Sequence, residues 1–527
     1  MDRSPQARWI NRIGLLILAV GIGLRLARFL DRRPLWLDEA LLALNILRRT
    51  PLGLLRPLDG NQVAPLGFLW GEWVVIQLGG ASERALRFLP LIAAIAALVA
   101  FARLARRTLE PGMALFATSL AALSPLLIYY SAEVKSYGLD WLCAILLMHA
   151  TLTVIDDATS RAWMRWGLAA AFSALVSTAT PFFIGGCALA LLAVPHVRRS
   201  PRELLRLVAA GTPAALIFGL HLLTAYRSSS VTSFMQVYWA ESFLEPRLPS
   251  VLIHAANIAR ELWSTTLFGD AASVLPRKTM TIVMAGSAVG AIAMIRRSLP
   301  TAVLLLAPAV LAGVASFGKW WPLTPRLLLF AVPAVLITLS AGIATVSRVA
   351  PRKFRTSLKA ILAVAVIAMA GMGLTRESRV DRRFIVVPAA LREVGTRVGP
   401  DATVYVSADM EATCIYYLAW HPDRSALSGD PSSRDCSFRG TRTVIGQWPW
   451  FVGLVPGTAT DAAKTIRPEW LEREGRRVLE QPATELWVVI GNPDLRTPLP
   501  SWLEASGATR LAERDTGGIR ILTYRRN

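Results

Sequence analysis

The feature that most constrains this chain is a series of long apolar segments in its first 375 residues. A helix that crosses a membrane needs about 20 mostly apolar residues, and about eleven runs approach that length. They are Ile13–Phe29, Arg84–Ala105, Gly112–Tyr129, Tyr137–Ile155, Gly167–Ala179, Phe182–Val194, Leu204–Ala225, Thr279–Ile295, Thr301–Phe317, Arg326–Val346 and Leu358–Leu374. The two runs beside Pro181 are short enough to form one kinked span, which leaves ten as an alternative. The sequence therefore predicts a polytopic α-helical membrane protein.

The charge of the chain is concentrated in this apolar part. The net charge is +21, whereas residues 376–527 carry 21 basic and 19 acidic side chains, so +19 of it precedes them. A strongly basic chain can indicate nucleic acid binding, but basic loops between apolar runs are typical of the positive-inside rule. We therefore expect membrane lipid, and no nucleic acid, as the partner of these basic residues.

The basic loops also predict the orientation. They alternate with the apolar runs and all fall on one side: Arg3, Arg8, Arg12, Arg103, Arg106, Arg107, Arg161, Arg165, Arg198, Arg199, Arg202, Arg206, Arg296, Arg297, Arg348, Arg352, Lys353, Arg355 and Lys359. Short loops on the other side carry only Lys135, Lys319 and Arg326. With an odd number of spans, the amino terminus is cytoplasmic and the residues after Leu374 are outside. The first run lacks a cleavage site, so we expect a retained helix. The Arg- and Ala-rich composition favours a bacterial plasma membrane.

Two long loops, 30–83 and 226–278, are predicted to face outward. The first contains apolar residues interrupted by Pro, Asp and Gly, a pattern that favours interfacial amphipathic helices. The second is rich in aromatic residues and is predicted to form a flexible lid at headgroup depth. These residues are Tyr226, Phe234, Tyr238, Trp239, Phe243 and Trp263. An interfacial aromatic belt is the alternative to a sugar-binding platform.

The sequence changes character after residue 375, and we expect residues 1–375 and 376–527 to be two domains. The second part alternates short apolar strands with helical patterns, which predicts a small extracytoplasmic α/β domain. The strands are Thr403–Val406, Thr443–Ile445, Leu486–Ile490 and Ile519–Tyr524; the helices are Val387–Arg397, Glu411–Ala419, Arg467–Glu474 and Leu499–Ser506. This domain is expected to cap the active site or to bind an acceptor.

The four cysteines differ in their surroundings. Cys143 and Cys187 lie in apolar runs, whereas Cys414 and Cys436 belong to the outer domain. An oxidising exterior makes a Cys414–Cys436 disulfide plausible, and closing a loop of about 20 residues stabilises a fold by roughly 3 kcal/mol.

Acidic residues of the membrane part are concentrated at the predicted outer face. These are Asp31, Asp38, Glu39, Asp59, Glu72, Glu83, Glu133, Asp140, Glu241, Glu245, Glu261 and Asp270. Carboxylates at a membrane boundary are costly unless they are solvated, paired or used, so this face is the expected place for chemistry. The pair Asp38-Glu39, in WLDEALLALN, has an alternative role as an N-terminal helix cap. Glu133 and Lys135, in SAEVKSYGLD, have an alternative as a solvated ion pair.

Taken in order, these segments resemble a known family. They are the first span, the Asp38-Glu39 pair, NQVAPLGFLW at 61–70, ALRFLP at 85–90 and SAEVKSYGLD at 131–140. The set resembles the GT-C superfamily of polyprenyl-phosphate-sugar-dependent glycosyltransferases, and most closely the protein O-mannosyltransferase and lipid A aminoarabinose transferase-like group. The resemblance covers about residues 13–374 and implies transfer of a sugar to a lipid, glycan or protein acceptor.

The resemblance also implies roles for individual residues. Asp38 matches the catalytic carboxylate of the first loop and would be the base of a single inverting step, while Glu39 would orient it or bind the acceptor. Lys135, Arg326 and Arg87 are the candidate cations for the donor phosphate. Arg326, in WWPLTPRLLLFAVP, and Arg87 have interfacial anchoring as an alternative.

Further pocket candidates are Glu133, Tyr137, Asn61, Gln62 and His254. Asn61 and Gln62 stand where the family often has His or Asp before the prolines, which leaves the acceptor contact or the metal in doubt. His254 shares a helical face with Asn257, Arg260 and Glu261, although a structural role is its alternative. Some family members use a divalent ion, for which Asp38 and Glu133 would be the ligands here.

Two other classes of protein remain open at this point. A transporter or flippase of lipid-linked sugars would also be polytopic, but it predicts an internal repeat, broken spans and charges at the midplane. A non-catalytic membrane scaffold predicts that Asp38 is dispensable.

Overall fold

The computed structural model describes residues 5–31, 33–224, 236, 238–269, 277–380, 387–430, 432–447, 468–491 and 498–525. Helices dominate up to residue 380 and a small sheet follows, which confirms the predicted fold class. The helices of the first part are α1 (Pro5–Leu30), α2 (Leu37–Arg48), α3 (Leu66–Gly79), α4 (Glu83–Leu86), α5 (Phe88–Thr108), α6 (Pro111–Leu123), α7 (Pro125–Tyr129), α8 (Tyr137–Asp156), α9 (Ser160–Val176), α10 (Thr180–Leu192), α11 (Pro195–Arg198), α12 (Pro201–Leu223), α13 (Ser250–Phe268), α14 (Arg277–Arg297), α15 (Leu299–Phe317), α16 (Val332–Ser347) and α17 (Arg355–Val380).

Each predicted apolar run largely coincides with one or two helices, but fewer than eleven of these helices are long and apolar enough to span a membrane. In the part of the chain that the structure describes, eight helices are long and apolar enough to cross a membrane, or nine if the bent pair α6–α7 is one span. The runs beside Pro181 form α9 and α10, with 17 and 13 residues. Three predicted runs therefore do not form a single straight span: those in α9 and α10 are too short, and the one in α6–α7 is bent. The apolar pattern alone does not indicate where a helix bends or ends.

The break between α6 and α7 has an identifiable cause. The axes of the two helices differ by 52°, and the helical hydrogen bonding is interrupted at Ser124 and Pro125. The hydroxyl of Ser124 donates to the carbonyl of Thr266 at 2.7 Å. The buried guanidinium of Arg25 donates to the carbonyls of Ala121 and Ala122, which the missing helical turn leaves without partners. The break lies directly before the loop that carries Glu133 and Lys135.

Helix α16 is the most enclosed of the spans, with nearly all of its side chains buried. It approaches α14 closely, because a Cβ on Gly290 would collide with the carbonyl of Thr338 and one on Gly342 with the carbonyl of Gly286. Small residues at helix contacts let backbones approach in this way. A 3₁₀ turn, Pro325–Ala331, leads into α16, and Arg326 is the second residue of this turn.

The two predicted outward loops differ in structure. The first contains helices α2 and α3 with a short 3₁₀ turn, Gly53–Leu55, so helices are present as predicted, while their interfacial position stays a prediction. In the second, Tyr226 and Phe234 lie outside the described residues. Its described part is ordered by hydrogen bonds to the neighbouring span, since Leu323 N donates to the Ser242 carbonyl at 2.9 Å and Leu244 N to Ser316 Oγ at 3.0 Å. Helix α13 completes this loop.

The second part of the chain contains α18 (Val387–Arg397), α19 (Glu411–Ile415), α20 (Pro468–Leu479), α21 (Leu499–Ala505) and a π-helical turn, Tyr416–Trp420. Its strands are β1 (Thr403–Val406), β2 (Arg442–Ile445), β3 (Glu485–Ile490), β4 (Thr509–Thr516) and β5 (Ile519–Arg525). The sheet order is β2-β1-β3-β5-β4, with β2, β1 and β3 parallel and the other pairs antiparallel. The sequence predicted every strand except β4, whose mostly exposed residues lack an apolar alternation.

Cys414 and Cys436 form the disulfide that the sequence predicted, with their Cα atoms 5.2 Å apart. Cys143 and Cys187 are free and buried. The bridge fixes α19 and the π-helical turn that follows it, which is the part of this domain in contact with the first loop.

Candidate active site

The start of α2 positions two neighbouring carboxylates differently. Residues 33–36 are not helical, and α2 begins after Trp36, so Asp38 and Glu39 are its second and third residues. The carboxylate of Glu39 turns back and accepts from Trp36 N at 3.3 Å. Acidic side chains are favoured in a first helical turn, where they satisfy free N–H groups. The helix-capping alternative is therefore correct for Glu39, whereas Asp38 points elsewhere.

Glu39, Arg87 and Arg33 form what we call the buried clamp. Glu39 Oε1 accepts from Arg87 Nε at 3.0 Å, and Oε2 accepts from Arg87 Nη2 at 2.7 Å. Oε1 also accepts from Val134 N at 2.9 Å, and Arg33 Nη2 lies 3.7 Å away. Burial opposes the charge of Glu39, but Arg87, Arg33 and these hydrogen bonds outweigh it and lower the pKa of Glu39. The clamp ties the first loop to the loop after α7.

The clamp changes two of the predicted roles. The guanidinium of Arg87 also donates to the carbonyls of Arg33 and Pro34, at 2.6 and 3.1 Å, and its side chain is buried. An arginine with its donors used inside the protein has little left for a phosphate, so the predicted donor-phosphate role of Arg87 is not supported. Glu39 is fully buried as well, which excludes contact with an acceptor and agrees with an orienting role.

Asp38, Arg326, Lys135 and Glu133 form what we call the open cluster. Asp38 Oδ2 lies 3.5 Å from Arg326 Nη1, and the two side chains are 27% and 17% exposed. The ring of Trp239, from the second loop, lies under the Arg326 guanidinium with 4.7 Å between charge and ring centre. The contact between Asp38 and Arg326 is long and partly solvated, unlike those of the clamp. Both groups can therefore exchange partners.

Lys135 and Glu133 come from the loop that follows α7. Lys135 Nζ donates to Gln62 Oε1 at 2.6 Å. Burial lowers the pKa of Lys135, and the carboxylates of Asp38 and Glu133 partly oppose that effect. Glu133 Oε1 accepts from Trp36 Nε1 at 2.9 Å, whereas its buried Oε2 finds no hydrogen-bond partner among the described residues. Burial, reinforced by Glu39, raises the pKa of Glu133 to about 7.

The structure thus brings most of the predicted site residues together. Gln62 holds Lys135, and Tyr137 begins α8 directly after this loop and packs edge to face on Tyr130, with ring centres 5.0 Å apart. Asn61 adjoins Gln62 in a turn, with a left-handed φ of 54°. His254 is half-buried on α13, and no hydrogen bond or ion pair among the described residues links it to the open cluster.

Sequence reasoning did not predict the contacts of three further residues. Trp36 holds Glu133, and Trp239 stacks on Arg326. Tyr417 donates to Glu83 and accepts from the backbone of the first loop. Trp36 could have been found from its position two residues before Asp38. Tyr417 lies 382 residues from its partner Leu35, and no local pattern indicates their contact.

The described residues do not present a metal site. They contain no group of three or more His, Cys, Asp and Glu side chains that could hold a metal ion. Asp38 contacts Arg326 and Glu133 contacts Trp36, and two cationic side chains belong to the same cluster. Such surroundings suit an anion better than a cation. The predicted pair of metal ligands, Asp38 and Glu133, is therefore not supported.

Comparison with known proteins agrees with the predicted resemblance. The family model for dolichyl-phosphate-mannose-protein mannosyltransferase matches residues 63–223. The structure of ArnT from Cupriavidus metallidurans bound to undecaprenyl phosphate is similar, with 15% identity and a TM-score of 0.53, over 97% of each chain. The oligosaccharyltransferase AglB from Archaeoglobus fulgidus, in complex with an inhibitory peptide and a dolichol-phosphate, has 13% identity and a TM-score of 0.50, over 98% of this chain and 74% of the other. No curated protein matches by sequence. The resemblance to GT-C glycosyltransferases is thereby confirmed, and the chain has their fold.

Proposed function

We propose that this chain is an inverting glycosyltransferase that moves a sugar from a polyprenyl-phosphate carrier to an extracytoplasmic lipid, glycan or protein acceptor. The observation that carries this proposal is the partly exposed carboxylate of Asp38 beside Arg326, on a helix start that the buried clamp holds fixed. A base next to cations is the arrangement required for attack on a sugar phosphate. The similar structures of ArnT and AglB, with undecaprenyl phosphate and dolichol-phosphate, support a lipid phosphate as the leaving group.

In the proposed reaction, Asp38 accepts the proton of the acceptor's attacking group. That group forms a bond to the anomeric carbon while the bond from this carbon to the phosphate oxygen breaks. The electron pair leaves with the polyprenyl phosphate, whose negative charge Arg326 and Lys135 stabilise. One displacement of this kind inverts the configuration. A single displacement of this kind forms no covalent enzyme intermediate.

The contact between Asp38 and Arg326 fits an ordered reaction. At 3.5 Å and with both groups partly exposed, it is weaker than a charge-assisted hydrogen bond of ordinary length. The donor is a phosphodiester with one negative charge, and it gains a second charge as its bond to the sugar breaks, so it competes with Asp38 for Arg326 and holds this arginine more strongly as the reaction proceeds. Binding of the donor therefore frees the base for the acceptor.

We also propose the predicted orientation, in a bacterial plasma membrane, with nine spans of which the bent pair α6–α7 is one. This odd number places the two ends of the chain on opposite sides. Residues 1–375 are the transferase domain in this proposal, and residues 376–527 form an extracytoplasmic domain. Support comes from the basic loops and from the Cys414–Cys436 disulfide, which requires an oxidising compartment. The spans make the chain an integral membrane protein.

The test compares the purified protein with Asp38→Asn and with the control Asp59→Asn. Asp59 lies in the same loop and its exposed carboxylate pairs with Arg49 at 2.8 Å, so this control also removes one loop charge. The three proteins receive a panel of radiolabelled polyprenyl-phosphate sugars with a membrane-lipid extract, and labelling of acceptors is followed. Loss of a catalytic base lowers the rate by about 10²–10⁴-fold.

We expect Asp38→Asn to show this loss and Asp59→Asn to stay within about twofold of the original rate. Equal rates for the original protein and a folded Asp38→Asn variant would remove Asp38 as the base. Transport of lipid-linked sugar across vesicles without labelling of any acceptor would favour the transporter or flippase alternative.

A further inference from the structure

The outer domain reaches the catalytic loop through the residues that follow the disulfide. The hydroxyl of Tyr417 accepts from Leu35 N at 2.9 Å and donates to Glu83 Oε1 at 2.8 Å. His421 Nε2 lies 2.9 Å from Glu83 Oε2. Because Asp423 N donates to His421 Nδ1 at 3.1 Å, the proton of a neutral His421 is on Nε2, which donates to Glu83. Tyr417, Glu83 and His421 form what we call the latch.

The latch completes the support of residues 33–36, the segment that leads into α2. The carbonyls of Arg33 and Pro34 accept from Arg87, and Trp36 N donates to Glu39. Leu35 is fully buried, and its N–H is satisfied by Tyr417. The buried clamp thus holds this segment from the membrane part, and the latch holds it from the outer domain.

We infer that Tyr417 is a positioning residue for the transfer reaction, through which the outer domain fixes the start of α2 and hence the carboxylate of Asp38. This inference rests on the proposed function of Asp38. A displacement of about 1 Å at a catalytic group can lower a rate by up to about 100-fold, so support for the helix start bears on the rate. The disulfide at Cys414 holds α19, from which the chain passes directly to Tyr417.

The adjacent residue Tyr416 provides a matched control. It is also a buried tyrosine of the π-helical turn, and its hydroxyl donates to the Ala81 carbonyl at 2.6 Å. Loss of this bond removes one docking contact of the outer domain but no contact with residues 33–36. Tyr416→Phe therefore tests docking alone, and Tyr417→Phe tests docking together with positioning.

The experiment uses the full-length protein and both variants, and it has two readouts. The first is hydrogen–deuterium exchange in peptides that cover residues 33–41, which does not depend on activity. The second is the steady-state rate with the labelled donor that the original protein accepts. We expect Tyr417→Phe to exchange about tenfold faster at Leu35, since a buried N–H has lost its partner. We expect its kcat to fall about tenfold, with the donor KM within about twofold.

Tyr416→Phe should leave both the exchange at residues 33–41 and kcat within about twofold. A merely structural role would affect both variants alike, and that result would overturn the inference. Unchanged exchange in Tyr417→Phe, or faster exchange with an unchanged kcat, would also overturn it. If the original protein transfers no sugar from any donor, the proposed function fails, while the exchange readout still decides whether Tyr417 holds the helix start.

Discussion

The buried clamp and the open cluster contain neighbouring residues of one helix, but their contacts differ. Glu39 is fully buried, and four donors lie within 3.3 Å of its oxygens: Arg87 Nε, Arg87 Nη2, Val134 N and Trp36 N. Asp38 is partly exposed and has one long contact with Arg326. A carboxylate with a full set of partners is held in its charged form and cannot accept a proton readily. A carboxylate with one long contact has oxygens left for a substrate.

This difference shows how one helix start serves two purposes. The clamp joins α2 to Arg87 and to the loop after α7, so that Lys135, the proposed donor cation, and Asp38, the proposed base, are held in one rigid arrangement. Asp38 and Arg326, by contrast, share only a long contact with each other, which leaves both groups available to the proposed acceptor and donor phosphate. If this division is correct, substitutions in the clamp should mainly change stability, and substitutions of Asp38 and Arg326 should mainly change activity.

The largest effect on stability is expected for Glu39→Gln. This substitution leaves the buried charges of Arg87 and Arg33 without their carboxylate, and breaking a buried pair from one side costs about 3–5 kcal/mol. Asp38→Asn should change the free energy of unfolding by less than about 0.5 kcal/mol. The measurement is thermal or denaturant unfolding of the detergent-solubilised protein. Equal losses in both variants would contradict the division between clamp and cluster.

A second effect concerns pH and the buried carboxyl of Glu133. Its pKa is raised from 4.5 to about 7 in the folded protein, so folding opposes its charged form. Below pH 4.5 this carboxyl is protonated in both states and costs nothing; above pH 7 it is charged in both, and the full penalty applies. The contribution of Glu133 therefore lowers the free energy of unfolding by at most about 3 kcal/mol as pH rises from 4.5 to 7.

Glu133→Gln should remove that dependence. Unfolding is followed at several pH values for the original protein and for this variant, and the difference between the two curves isolates the one carboxyl. Glu83→Gln is a useful comparison, since Glu83 is bonded to Tyr417 and His421 rather than left with a free oxygen. A difference curve for Glu133→Gln that is flat between pH 4.5 and 7 would show that the carboxyl has an additional partner.

The pair Asp38 and Glu39 also shows how far sequence reasoning extends. The long apolar runs predicted the helices because a membrane permits few alternatives, and short apolar runs predicted four of the five strands. The sequence also grouped Asp38, Glu133, Lys135 and Arg326 by their side of the membrane. It could not assign Asp38 and Glu39 to different roles, because the partners that distinguish them lie 48, 95 and 288 residues away.

The same limit explains the other corrections. Arg87 was grouped with the donor cations because it lies on the predicted outer side of the membrane. Only its hydrogen bonds to the carbonyls of Arg33 and Pro34 show that its guanidinium points into the protein. No sequence pattern indicated the latch, because the contact of Tyr417 with Leu35 joins residues that are far apart in the chain. Patterns of period and composition predict elements and sidedness, whereas the partner of a particular side chain is set by tertiary packing.

A third prediction contrasts the cations of the two groups. Arg326→Ala should raise the dissociation constant for undecaprenyl phosphate about 10–100-fold, because a hydrogen bond to a charged group contributes about 1.5–3 kcal/mol. Arg326→Lys keeps the charge but loses the forked geometry, and it should recover part of the affinity. The measurement is equilibrium binding in detergent. If Arg87→Lys, in a protein that remains folded, weakens binding as much as Arg326→Ala, then Arg87 contacts the donor after all.

The smallest effect is expected at the other end of the same helix, for Arg48→Ala. Arg48 Nη2 lies 3.2 Å from Asp435 Oδ1 and 3.0 Å from the Arg434 carbonyl, so it joins α2 to the outer domain as the latch does. The side chains of the pair are 37% and 81% exposed, however, and exposed ion pairs contribute about 0–1 kcal/mol and are screened by salt. We expect a change in unfolding free energy below about 1 kcal/mol and a kcat within about twofold. A larger loss in Arg48→Ala than in Tyr417→Phe would mean that exposed contacts, rather than the buried hydroxyl, join the two domains.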